Sequence, residues 1–173
     1  MRSAAFALSA LASMALWACG SVAPRPLYAP PPFTADQLRD GFVRDRTYTF
    51  RQEGGRAPIR VMRLMSSTAS GGLIWSQDED GLGHPLGEPK VAEFTWAELE
   101  SHATWNADIT TVTEEPLRTP VGTHACLHYR VVTPVGTTDA WFDRTLPGPP
   151  IRYEERGTQA VFLMELIALK PGG

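Results

Sequence analysis

Lysine is almost missing from this chain: Lys90 and Lys170 are the only two in 173 residues, and the arginines are scattered. No basic run exists and the formal net charge is −3, so nucleic acid and anionic headgroups are not expected as electrostatic partners. Cysteine is equally scarce. Cys19 and Cys126 alone make no disulfide framework, so the core must be held by burial. The signatures of serine hydrolases, P-loops, dinucleotide-binding turns and zincins are all absent, as is any internal repeat. Only one long apolar run occurs, at the N-terminus. What is there otherwise is ordinary: 43% hydrophobic and 20% charged residues, in a chain long enough for one domain with its own core.

Met1-Arg2-Ser3 forms a short positive region ahead of residues 4–18, an apolar stretch interrupted only by Ser9 and Ser13. Coiled into a helix it would reach about 22 Å, short of a hydrocarbon core about 30 Å thick. That length suits a signal peptide, residues 1–18, better than a permanent span. The stretch closes on Leu16-Trp17-Ala18-Cys19-Gly20, which resembles the lipobox of bacterial lipoproteins: an aliphatic residue at −3, a small one at −1, then cysteine. The resemblance implies cleavage before Cys19, lipidation of its sulfur by a diacyl group of palmitate type, and often a third chain on the new amine. Two or more chains anchor durably where one is marginal. The alternative is ordinary secretion, with cleavage after small residues and Cys19 incidental. Gly20 is not the aspartate that retains enterobacterial lipoproteins in the inner membrane. The expected address is therefore the cell envelope, at the outer membrane, facing the periplasm or the surface. Residues 19–32 carry Pro24, Pro26, Pro30, Pro31 and Pro32 and read as a semi-rigid spacer, about 40 Å long if extended, which leaves 33–173 as a β-rich globular domain.

Two short helices are signalled by their caps. Thr34-Ala35-Asp36-Gln37 and Thr95-Trp96-Ala97-Glu98 both fit the capping box, in which a threonine hydroxyl accepts from the backbone three residues on and the Gln or Glu side chain reaches back. Phe33 with Leu38, and Phe94 with Leu99, stand as hydrophobic staples, while Gly41 and Asn106 end the two patterns. The rest is punctuated by proline and glycine. Strands are predicted at 47–52, 59–65, 73–77, 90–94, 109–114, 124–133, 138–143, 151–156 and 160–169, with an acidic loop at 78–87. The last strand is apolar on both faces over 161–167 and is expected to be central and covered twice. The fold class is mainly β: a curved antiparallel sheet of eight or nine strands, as a half-barrel or small barrel, with two short helices.

Thr119-Pro120-Val121-Gly122-Thr123, Tyr129, Trp141-Phe142, Leu146-Pro147-Gly148-Pro149-Pro150-Ile151 and Met164-Glu165-Leu166 together resemble a pattern in uncharacterised envelope proteins. Those proteins pair a T-P-x-G-T-F turn with a W…L-P-x-P loop, and are related in fold to the half-barrel of the LolA and LolB lipoprotein carriers. The resemblance spans about the C-terminal third. It implies a half-barrel of eleven strands or fewer around an apolar cavity, used in the best-known relatives to carry acyl chains. It transfers no functional residue, and His124 stands where an aromatic is common.

His124-x-Cys126-x-His128 is the most tempting constellation. Alternation puts all three on one strand face, yet at about 3.3 Å per residue the histidines are about 13 Å apart at Cα, too far for one zinc with ligands near 2 Å. A two-ligand pair completed by His84 or His102, or Cys126 as a nucleophile activated by a neighbouring histidine, is the sharper reading; partly buried polar side chains and an inert thiol are the default. Asp78-Glu79-Asp80-Gly81-Leu82-Gly83 has the flavour of a calcium loop but lacks the third acidic position and the bidentate glutamate. Glu114-Glu115 and Glu154-Glu155 are sequence neighbours, so each pair splits across its strand and makes no paired-carboxylate site. Trp75, Trp96, Trp105 and Trp141 are expected in the core or lining a cavity.

The expected function is that of a lipid-anchored envelope lipoprotein, not an enzyme, with no cofactor and no metal. It is held to the membrane through Cys19, and its half-barrel takes an apolar ligand or acyl chain. The alternatives are a structural or protein-interaction module of an envelope complex, and a metal or thiol enzyme built on His124, Cys126 and His128.

Overall fold

Both capping boxes form. In a computed structural model that describes residues 27–158 and 160–172, Thr34 caps α1 (Ala35–Gly41) and Thr95 caps α2 (Trp96–His102). Gln37 N donates to Thr34 Oγ1 at 3.3 Å, and Thr34 N donates back to Gln37 Oε1 at 2.9 Å. Thr95 and Glu98 repeat the exchange at 3.1 and 2.6 Å. Each reciprocal pair satisfies amides that a helix start otherwise leaves bare. Thr95→Ala is expected to cost about 1 kcal/mol, read as a lower urea midpoint at unchanged slope. An unmoved midpoint would mean that packing alone holds α2. The second helix ends at His102 rather than near Asn106, because Asn106 is bridged to Tyr28 and leads into the next strand. The expected signal peptide, Cys19 and the expected spacer through residue 26 lie outside the described residues.

All nine predicted strands are present: β1 (Thr47–Glu53), β2 (Ile59–Ser67), β3 (Gly71–Glu79), β4 (Lys90–Thr95), β5 (Thr110–Thr119), β6 (Gly122–Thr133), β7 (Gly136–Asp143), β8 (Arg152–Gly157) and β9 (Val161–Lys170). They form one antiparallel sheet in the order β4-β3-β2-β1-β9-β8-β7-β6-β5. The runs β1–β4 and β5–β9 are meanders, joined where β9 pairs with β1. That pairing puts β9 at the centre, as its two-sided apolar pattern requires. The curved sheet stays open with β4 and β5 as its edges, so of the two expected forms the half-barrel is found and the small barrel is not.

Several strand ends differ from expectation for local reasons. β5 runs on through Pro116 to Thr119, which an edge strand permits because the missing N–H can face outward. β3 begins at Gly71, where a Cβ would collide with the Phe94 carbonyl oxygen on β4; the Gly-Gly pair is a close strand approach and not a break. β3 also takes in Asp78, whose carboxylate pairs with Arg60 on β2 at 2.9 Å, so the acidic loop starts at Asp80. Register shifts give β9 one extra residue at Ile167 and β2 one at Met65. The first of these bulges lets Leu166 and Leu169 face the same way, three positions apart.

The helices cover that face. Tyr48, Phe50, Leu64, Tyr129, Phe142 and Leu166 form one buried cluster with Phe33, Leu38, Phe42 and Trp96, each such side chain contributing roughly 1.5–3 kcal/mol by leaving water. The last residues of the expected spacer also belong to this packing. Ala29 N donates to Trp105 O at 2.8 Å, Tyr129 Oη donates to Pro30 O at 2.7 Å, and Pro32 is buried. The contacts of the domain therefore reach back to Leu27. Among the described residues no helix is long and apolar enough to cross a membrane.

Candidate functional site

Between the helices and the sheet face they cover lies a cavity of about 260 Å³. Its walls come from the staples that set the helix starts: Phe33 and Leu38 at α1, and Leu99 at α2, with Trp105 beyond it. Met62, Ile74, Ala140, Phe142 and Tyr153 line it from the sheet. The remaining wall is the β7–β8 loop, the L-P-x-P segment of the resemblance, through Gly148, Pro149 and Pro150. Gly148 has φ +150° and a Cβ there would sit 3.2 Å from Tyr48 Oη, so glycine lets the loop close on the sheet while the prolines stiffen it. Only His102, exposed at one side, and the Tyr153 phenol bring ionisable groups. Burial, and then the Glu155 carboxylate, push that phenol above its ordinary value, so it stays neutral.

No carboxylate and no activated nucleophile lines this cavity, so what it can do is exclude water from an apolar group. Apolar cavities of about 150 Å³ take a benzene ring, and by that measure this one suits roughly ten carbons. A longer chain would lie partly outside. Of the four tryptophans among the described residues, only Trp105 lines the cavity. Trp96 is buried beside Phe94 and donates to Thr68 O at 3.0 Å, and Trp75 lies under the Arg63 guanidinium at 5.4 Å.

His124, Cys126 and His128 share the opposite face of β6, as alternation requires, and none of them lines the cavity. Each is already engaged. His124 Nδ1 is 2.6 Å from Asp143 Oδ2, and its Nε2 is 3.3 Å from Thr119 Oγ1. Burial pulls the Asp143 carboxyl upward, but the Thr145 amide, His124 and the Thr145 hydroxyl outweigh it and hold the group below its ordinary value. Asp143, His124 and Thr119 stand in the order of a nucleophilic triad. The Thr119 hydroxyl, however, is used by the β5–β6 turn, accepting from Val121 N at 3.2 Å and donating to Gly122 O at 3.4 Å. His128 lies between Glu115 Oε1 at 3.1 Å and Asp139 Oδ1 at 2.7 Å, and stacks on Trp141 at 4.2 Å.

Cys126 is 1% exposed, and burial, followed by the Asp143 charge, pushes its thiol up to about 11. It is a thiol and not a thiolate at neutral pH. His84 sits in the β3–β4 loop and His102 on α2. Among the described residues no group of three or more His, Cys, Asp or Glu is placed to hold a metal ion. Asp80 caps its own loop, accepting from Leu82 N and His84 N at 2.8 and 2.9 Å, and the His84 amide chiefly holds its carboxyl below the ordinary range. The acidic run is thus a closed turn.

The same outer face carries an ionic web that sequence reasoning missed. Arg51 meets Glu165 at 2.7 Å, Arg152 meets Glu154 and Glu165 at 3.0 and 3.7 Å, and Arg156 meets Asp139 at 3.7 Å and also bonds Glu154. Asp139, Glu154 and Glu165 are all buried. Trp141 is flanked by His128 and, at 5.5 Å, by the Arg152 guanidinium, while its Nε1 donates to Glu115 at 2.6 Å. This web, not an apolar layer, covers the second face of β9 at Glu165. The available signal was Arg152-x-Glu154-x-Arg156, with three charges on one side of β8. As expected, the adjacent glutamates split: Glu154 is buried in the web and Glu155 is exposed.

No family model and no curated protein matches the chain. Among solved structures it is similar to a Bacteroides fragilis protein provisionally described as exported, with a YmcC-like fold: 13% identity over 76% of this chain and 98% of that one, TM-score 0.47. It is also similar to a Parabacteroides distasonis protein provisionally described as a lipoprotein, at 9% identity over 75% and 97% of the two chains, TM-score 0.49. At these identities and scores the likeness bears on neither activity nor ligand.

Proposed function

We propose that this chain is the precursor of a lipid-anchored protein of the bacterial cell envelope, cut before Cys19, whose half-barrel takes up an apolar chain without acting on it chemically. The cavity carries the ligand half of this reading: about 260 Å³ with apolar walls, stiffened by proline and free of carboxylates. The exposed His102 offers a donor to the polar head of an amphipathic guest, as a fatty acid would present. The anchor half rests on the apolar run at 4–18 and on Leu16-Trp17-Ala18-Cys19, and Gly20 favours the outer membrane. The reading as a binding protein rests on the same chemistry, since Cys126 is protonated and buried and both β6 histidines are held by carboxylates.

Photo-crosslinking tests the ligand half in the intact chain. A diazirine-bearing fatty acid, irradiated with the protein in its own membrane, is expected to mark peptides covering 32–42 and 96–105. Ala103→Leu, which fills the cavity from the end of α2, should lower the yield by roughly tenfold. Labelling spread over the outer surface, or a yield unchanged in the variant, would leave the protein as an interaction module of an envelope complex. The anchor is tested separately by incorporation of alkynyl palmitate, which Cys19→Ser should abolish.

A further inference from the structure

The exposed apolar side chains are unevenly placed. Antiparallel pairing sets the β1–β2, β3–β4, β6–β7 and β8–β9 turns at one end of the sheet, together with the start of β5. That end carries Leu82, Val135 and Val161 at its turns, 83%, 71% and 57% exposed, with Leu86 in the β3–β4 loop. Leu27, 78% exposed, joins them through its carbonyl, which accepts from Ala107 N at 3.0 Å, and Val132 lies beside it through the bond from its N–H to Ile109 O. The opposite end shows only Val43 and Met65 among the described residues, at 36% and 38%. Single exposed apolar residues mean little, but a set gathered at one end of an otherwise polar surface marks a contact.

The chain itself points to what covers this end. Leu27 lies in it, and Cys19 is eight residues earlier, a span that reaches at most about 29 Å. We infer that this end of the half-barrel rests on the bilayer surface, with Leu27, Leu82 and Val135 in the boundary between headgroups and acyl chains. The inference rests on the anchor at Cys19 proposed above. A tether this short keeps the end at high effective concentration near the membrane, so a few apolar side chains suffice to hold it down. Charges of both signs interleave there, Glu53, Glu79, Asp80 and Glu88 with Arg56 and Lys90, and no basic patch is among them, so the contact is apolar and does not rest on attraction to anionic lipid. The strands then stand away from the membrane, and the β7–β8 loop that walls the cavity lies at the far end.

The test uses the full, processed chain in phosphatidylcholine vesicles. Single cysteines for an environment-sensitive fluorophore are introduced by Val135→Cys at the apolar end and Ala69→Cys in the β2–β3 turn at the other, Cys126 being buried. Nitroxide-bearing lipid is expected to quench the label at 135 at least about threefold more than the label at 69, with the ratio unchanged by adding phosphatidylglycerol or salt. Equal quenching at the two positions, or none at either, overturns the docking. The palmitate assay reports on the anchor alone, so a lipidated chain with equal quenching sinks this inference and leaves the anchor standing. A chain without lipid at Cys19 sinks the anchor reading, and the quenching ratio still decides whether this end meets lipid.

Discussion

Replacing Phe142 by alanine is expected to cost about 3–5 kcal/mol, a large part of the 5–15 kcal/mol by which a domain of this kind is stable. Phe142 is buried on β7, with its ring edge-on to Phe33 at 6.2 Å and to Tyr129 at 5.7 Å, and tilted against Trp105 at 6.4 Å. Its removal therefore breaks three aromatic contacts and not one. It also lines the existing cavity, so the lost volume would merge with space already empty. The cost of a truncation depends on how far its surroundings collapse. Here Pro149, Pro150 and the two capped helices limit that collapse. The measurement is a urea titration at unchanged slope, with Phe142→Leu losing less than half as much. A small apolar solute such as indole should then raise the melting temperature of the alanine variant more than that of the parent, because the enlarged cavity binds it better. A loss under about 1 kcal/mol would show that the walls close in, and a cavity that closes so easily is not a preformed ligand site.

That prediction uses residues whose separate roles were readable in the sequence and whose meeting was not. Phe33, Leu38 and Leu99 were recognised as staple residues because a capping box is local chemistry: a threonine, and a Gln or Glu three residues on. Strand existence was equally local, carried by alternation, and the central place of β9 followed from apolar residues on both faces over 161–167, Glu165 excepted. The cavity depends instead on how α1, α2 and the β7–β8 loop are spaced by packing between segments far apart in the chain. No periodicity encodes that. The ionic web failed for the same reason, since Glu154 is assigned to Arg152, Arg156 and Asp139 only once the register of β7 against β8 is known. Proline marks two further differences. Pro116 lies inside β5, beyond the predicted end at 114, because an edge strand can continue through it, and Pro30, read as part of a semi-rigid spacer, has its carbonyl held by Tyr129 Oη.

Cys126 is expected to resist alkylation in the folded protein by at least about a hundredfold relative to the unfolded chain at pH 8. The thiolate is the reacting form, and with the thiol at about 11 only about one molecule in a thousand carries it at that pH. An unfolded cysteine near 8.5 is ionised in roughly a quarter of molecules. Burial at 1% exposure adds a restriction on access, so iodoacetamide should modify Cys126 only as fast as the domain opens, and urea should restore the rate. The same shift makes stability depend on alkaline pH. Below the unfolded value both states hold the proton and the contribution is intact. As pH rises towards 11 the unfolded chain ionises first, so stability falls, by at most about 3 kcal/mol. Cys126→Ala should flatten that decline between roughly pH 9 and 11. In the oxidising envelope proposed for this chain, a free cysteine escapes mixed disulfides only if it stays protonated and covered. Alkylation of the native protein at the rate of a free thiol would put Cys126 at the surface beside His124 and His128, and would reopen thiol chemistry on that face of β6.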